Sequence, residues 1–161
     1  MFKDNEEVAK LKLTLYKRYS KFATSSLYIE EYQLTGWERV DRSIDEMRSR
    51  LEFSEREEQF QAIGMIGRKT LITIAQQVFD PTKHATLDGI EASSTDAKRM
   101  LEAYLNYELN DTSEKTRRFA RASVDLGNQL THDRGATKKE ATMCLISVSS
   151  IATMIKFLDE Y

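Results

Sequence analysis

The chain has 161 residues, a formal net charge of -2, 40% hydrophobic residues, one proline and six glycines. That length suits a single domain able to bury about two-thirds of the surface its unfolded form exposes, and the mixture of apolar residues with charges of both signs excludes a disordered chain. A slightly acidic whole also excludes wholesale attraction to a polyanion, so any nucleic-acid contact has to come from a local basic patch.

The single cysteine, Cys144, excludes an internal disulfide. Set among Met143, Leu145 and Ile146, it reads as a small buried hydrophobe. No apolar run approaches the roughly 20 residues that span a bilayer, and the opening MFKDNEEVAK lacks the apolar stretch of a signal peptide. Both points predict a cytoplasmic protein without membrane contact.

From Asp4 to Tyr32, Val8, Leu11, Leu15, Tyr19 and Phe22 recur at three- and four-residue spacings, which predicts a first helix with one buried face. Ser25-Ser26 marks a point of interruption. Lys10, Lys12, Lys17, Arg18 and Lys21 give this helix a basic, solvated side. Thr35 with Glu38 is a capping-box pattern that opens a second helix, striped by Trp37, Val40, Ile44, Met47 and Leu51.

Ser54 and Glu57 repeat the capping signal before a third helix, Glu55 to Phe79. Its apolar residues, among them Phe60, Ile63, Ile66, Leu71, Ile74 and Val78, occupy more than one stripe and make it the most buried helix. Gly64 and Gly67 each cost about 1 kcal/mol in a helix interior, and close approach of a neighbouring helix is the reason expected for them. Asp80-Pro81 ends this helix. Residues 82–93 form the longest connection, of a length associated with functional or mobile loops. His84 lies there without a cysteine or second histidine at metal-ligand spacing; no metal site and no cofactor are expected.

A fourth helix, Thr95 to Leu109, turns Ala97, Met100, Leu101, Tyr104 and Leu105 inward, and Asn110-Asp111 breaks it. The fifth runs from Ser113 to Thr131. The sixth follows Thr137, with Glu140 completing another capping box, and buries Ala141, Cys144, Val148, Ile151, Ile155 and Leu158. Caps that agree with the hydrophobic period predict an all-α fold, an antiparallel helical bundle of about five to six helices.

The candidate site lies on the fifth helix and the corner after it. Phe119, Ala122, Leu126 and Leu130 form its apolar stripe, while Arg118, Arg121, Asp125, Asn128 and His132 form a polar ridge facing the other way. From Ser113 to Glu140, seven Lys or Arg stand against four Asp or Glu. One reading is a solvated face with His132 at the helix C-terminus, where the dipole favours imidazolium. A second is an RNA- or phosphate-contacting patch of Arg117, Arg118, Arg121, Asn128, Arg134, Lys138 and Lys139. A third is metal-independent RNA cleavage, in which neutral His132 takes the 2'-hydroxyl proton and Arg121 or Arg134 stabilises the phosphorane charge.

Asn-x-x-x-His at Asn128 to His132, followed by the corner His132-Asp133-Arg134-Gly135-Ala136-Thr137 and a long amphipathic helix, resembles the C-terminal half of HEPN-superfamily domains. The resemblance spans Glu55 to Tyr161, with residues 1–53 as helices that pack on or extend that bundle, all within one domain. It implies a place in a prokaryotic defence or toxin–antitoxin type system, and a homodimer, or a subunit of a larger assembly, with the two motif helices together. The family's signature places an arginine before the asparagine, and this chain has Gly127 there. Members without the arginine are read as binding or dimerising modules, so the resemblance implies RNA or phosphate contact without catalysis. A ribonuclease using His132 with Arg121 or Arg134 is the alternative, and a purely structural helical interaction protein is another.

Overall fold

The computed structural model describes residues 2–24, 34–129 and 135–161, with side chains in the first stretch described for 6–17. Six α-helices make up the regular structure of these residues: α1 (Phe2–Thr24), α2 (Glu38–Phe53), α3 (Glu57–Val78), α4 (Ala97–Glu108), α5 (Glu114–Gln129) and α6 (Lys138–Glu160). The all-α class and the bundle expected from capping and periodicity are what the chain forms. Residues Met1–Glu30 and Glu31–Tyr161 are separate compact units.

In the first unit, α1 has the predicted helical period but not the predicted burial, since Val8, Leu11 and Leu15 are all exposed. An amphipathic period specifies a helix; burial additionally needs a second apolar surface beside it. Tyr19, Phe22 and Ser25-Ser26 lie outside the described side chains.

In the second unit, α3 is the hub, packing against α2, α4, α5 and α6. The predicted stripe of α2 is buried at Val40, Ile44, Met47 and Leu51, with Trp37 half-buried at its start. The entry cap differs from expectation. The Thr35 N–H and hydroxyl donate to Asp41 Oδ1 at 2.9 and 2.8 Å, and the Gly36 N–H to Asp41 Oδ2 at 3.0 Å. Gly36, at φ 81°, turns the chain back over the first turn, so Asp41 takes the place expected of Glu38. At the start of α3, Gln59 accepts the N–H groups of Glu55 and Arg56 at 2.8 and 2.9 Å, and the Ser54 hydroxyl instead closes α2 on the Arg50 carbonyl at 2.6 Å.

Gly67 has the close-packing role expected of it. A Cβ there would lie 3.0 Å from Cys144 Sγ and 3.1 Å from Met47 Cε, so α6 and α2 approach α3 where it lacks a side chain. Along α6, Ala141, Cys144, Val148, Ile151 and Ile155 are buried as predicted, and Leu158 is half-buried. Thr137 and Glu140 form the expected reciprocal cap, with the Thr137 N–H donating at 2.8 Å and the Glu140 N–H at 3.3 Å. By length and composition α6 could cross a membrane, contrary to the expectation that no segment approaches that limit. Three charges at each end hide a central run, Ala141 to Ile155, that holds none. Its inner side packs against α2, α3 and α5, the setting of a core helix.

The long connection between α3 and α4 is pinned at several points. Gln76 donates to the Ser94 carbonyl at 2.7 Å, Arg99 pairs with Asp88 at 2.9 Å, and Asp96 caps α4 by accepting the Arg99 N–H at 3.1 Å. His84 is 3% exposed and packs edge-on against Tyr104 and Tyr107, each with ring centroids 5.2 Å away. Its Nδ1 accepts the Asp80 N–H at 2.9 Å, which places the ring proton on Nε2. Nε2 is buried without a hydrogen-bond partner among the described residues, with Glu108 Oε1 3.9 Å away.

Burial pushes the His84 ring below its ordinary value of 6.5, the Lys83 ammonium adds to this, and Glu108 and Asp80 oppose it. With the folded value below the unfolded one, the unfolded chain binds the extra proton first as pH falls. The stability that neutral His84 contributes is therefore complete above about pH 6.5 and lost as pH falls from there towards the folded value. Urea unfolding should show the midpoint of the natural chain dropping more between pH 7.5 and 5.5 than that of His84→Leu. Equal drops would assign the pH dependence to other groups.

Candidate functional site

Helix α5 buries Ala120, Ser123, Val124 and Gly127. The stripe expected from the large apolar residues is therefore displaced by about one residue: Phe119 is 58% exposed, Ala122 is exposed, Leu126 is half-buried, and Leu130 lies outside the described residues. Small side chains win the inner face because α5 sits close to α3 and α6. A Cβ on Gly127 would lie 3.0 Å from Leu71 Cδ1 and 3.4 Å from Val148 Cγ2. The Cys144 thiol donates to the Gly127 carbonyl at 3.4 Å. Burial pushes that thiol up to about 11, in keeping with a packed hydrophobe.

The polar ridge forms as far as it is described, but its charges are largely matched within the fold. Arg118 is exposed and pairs with Glu114 at 3.3 Å. Asp125 pairs with Lys98 of α4 at 2.7 Å. Arg121 is half-buried on the side facing α4, where burial raises the Glu102 carboxyl and Lys98 and Arg121 act against that rise. Arg117 is a structural residue: its guanidinium donates to the carbonyls of Leu109, Asn110 and Thr112 at 3.4, 3.3 and 2.9 Å and to Glu114 at 2.9 Å. It thus satisfies the end of α4 and the turn after it.

Lys138 and Lys139 are exposed in the first turn of α6. The corner before them is tied to the start of α3 by the Gly135 N–H, which donates to Glu57 Oε1 at 2.9 Å. His132 and Arg134, the residues on which acid–base cleavage was argued, lie outside the described residues. Asn128 is half-buried and lines an open groove of about 500 Å³ between α3, the start of α4 and the end of α5.

Beside Asn128 this groove carries Gln129, Arg68 and the Lys98–Asp125 pair. Neither Arg68 nor Gln129 is among the contacts expected from the sequence: Arg68 lies on another helix, and Gln129, inside the Asn128-to-His132 motif, carries no charge. No sequence signal marks Arg68, whose place beside Asn128 follows from the packing of α3 on α5. The two acids of the groove each hold a cation already, Asp125 with Lys98 and Asp96 with Arg99. Arg68 has no hydrogen bond or ion pair among the described residues. Its guanidinium and the two amides can donate to an anion with oxygen acceptors. Among the described residues no group of three His, Cys, Asp or Glu side chains converges. No family model, no curated protein and no solved structure matches the chain.

Proposed function

We propose that this protein is a helical binding module that contacts RNA phosphates at the end of α5 without cutting the RNA, in a cytoplasmic defence or toxin–antitoxin type setting. The observation that supports it is the packing of Gly127. The position at which the HEPN signature carries an arginine is buried against Leu71 and Val148, where a Cβ alone would already stand 3.0 Å from Leu71 Cδ1. Arg117 is consumed by backbone carbonyls and is no free cation for a phosphorane; Arg121, half-buried, acts on the Glu102 carboxylate. The donors of Arg68, Asn128 and Gln129 open instead to a groove suited to a phosphate.

Fluorescence anisotropy with a labelled single-stranded RNA tests this. Binding should weaken as salt rises, and each lost phosphate contact should flatten the log–log slope by about 0.7. Arg68→Ala is expected to flatten it by about one contact's worth, and Arg134→Ala with Lys138→Ala by one to two. Absence of salt-sensitive binding would remove the proposal in favour of a purely structural role. Cleavage that survives EDTA and disappears in His132→Ala would replace it with the ribonuclease reading.

A further inference from the structure

The outer side of α6 is unlike the outer side of any other helix in the Glu31–Tyr161 unit. Met143, Ile146, Thr153 and Phe157 are exposed and Ser150 is half-buried. These positions follow a strict four-three spacing and carry no charge, while the inner face of the same helix packs on α2, α3 and α5. The stripe continues to Glu160 and runs roughly 26 Å at 1.5 Å per residue. Such a spacing is that of a two-helix seam, with small residues where the backbones come closest.

The charges at the ends of α6 point to what covers it. Lys138 and Lys139 stand in the first turn and Asp159 and Glu160 in the last; no basic residue lies in the last turn, and Lys156, one turn earlier, meets Glu160 at 3.2 Å. Apart from the capping Glu140 at one end and Lys156 at the other, each end carries the sign its own dipole disfavours, a net positive start and a net negative finish. A second α6 laid antiparallel corrects both ends at once, because it brings its acidic end to the basic end of the first.

We infer that two copies of this chain associate through an antiparallel α6–α6 seam. Ser150 lies opposite the partner's Thr153 at the centre, Ile146 opposite the partner's Phe157, and Lys139 within reach of the partner's Glu160. This pairing does not use the groove at the end of α5 and does not rest on RNA binding. It also differs from the arrangement the HEPN resemblance implies, in which the motif helices, here α5, would meet.

Sedimentation of the full chain at roughly tens of micromolar should give a dimer, as interfaces of standard size do. Ile146→Glu and Phe157→Glu, both at exposed positions, should each give a monomer with an unchanged helical circular dichroism signal. The register is tested by oxidation. Ile146→Cys lies about 16 Å along the seam from its own copy in the partner, too far to bridge, as does Phe157→Cys. Neither variant should cross-link alone, and an equimolar mixture should cross-link.

A monomer in solution would overturn the inference, as would a dimer indifferent to both glutamate variants or a mixture that fails to cross-link. Cross-linking through Arg118→Cys would assign the dimer to α5 instead. A monomer that floats with phosphatidylcholine–phosphatidylglycerol vesicles would assign the stripe to a lipid surface.

Discussion

Gly127→Arg is expected to unfold the bundle and not to switch on RNA cleavage. It restores the residue type that the HEPN signature calls for, yet it drives a Cβ to 3.0 Å from Leu71 Cδ1 and sends a guanidinium between α3 and α6. Overpacking alone costs about 1–3 kcal/mol, and a buried charge without a partner adds about 3–5 kcal/mol. Such a sum is comparable with the whole stability of a domain of this size. Loss of the cooperative urea transition would be the readout. A folded Gly127→Arg protein with intact midpoint would show that α5 does not approach α3 as described. Gly127→Ala separates crowding from charge: its cost should shrink in a Leu71→Ala background, where the contacting methyl groups are gone, and a double-mutant cycle measures that coupling.

Ile151→Ala is expected to cost roughly 2–5 kcal/mol and Phe119→Ala less than about 0.5 kcal/mol, although phenylalanine is the larger apolar side chain. Ile151 is 0% exposed on the inner face of α6, while Phe119 is 58% exposed on α5. Leu126, half-buried, should fall between them. Equal losses at 119 and 151 in urea unfolding would return α5 to the orientation its large residues suggest.

What the sequence made legible, and what it hid, separates along a physical line. Helices were readable wherever a large-residue stripe met an ordinary neighbour, as in α2, α4 and α6, where Ile44, Leu101 and Ile151 are all fully buried. The capping box of Thr137 and Glu140 was readable because both partners act within one turn. The face of α5 was not, since close approach selects Ala120, Ser123 and Gly127 over Phe119, and the usual periodicity scan ranks positions by size. The cap of α2 misled for a related reason: Gly36 redirects the chain, and Asp41 reaches where Glu38 was expected. For the candidate site, Asn128 was legible from its motif. Gln129 follows Asn128 on the same helix, whereas Arg68 enters only through the packing of α3 on α5, which no local pattern encodes.

Gly67 on α3 and Gly127 on α5 bring both helices to the same turn of α6. A Cβ on either glycine would lie 3.4 Å from Val148 Cγ2, and Cys144 Sγ sits beside both, 3.0 Å from the one Cβ and 3.4 Å from the Gly127 carbonyl oxygen. The helix is thereby keyed like a splined shaft between two slots. Advancing it by one residue, a rotation of about 100°, would swing Val148 out and drive Leu145 or Ser149 into a gap shaped for neither. Its azimuth is locked from within, so the direction in which Met143, Ile146 and Phe157 point outward is set by two hydrogen atoms on the inside.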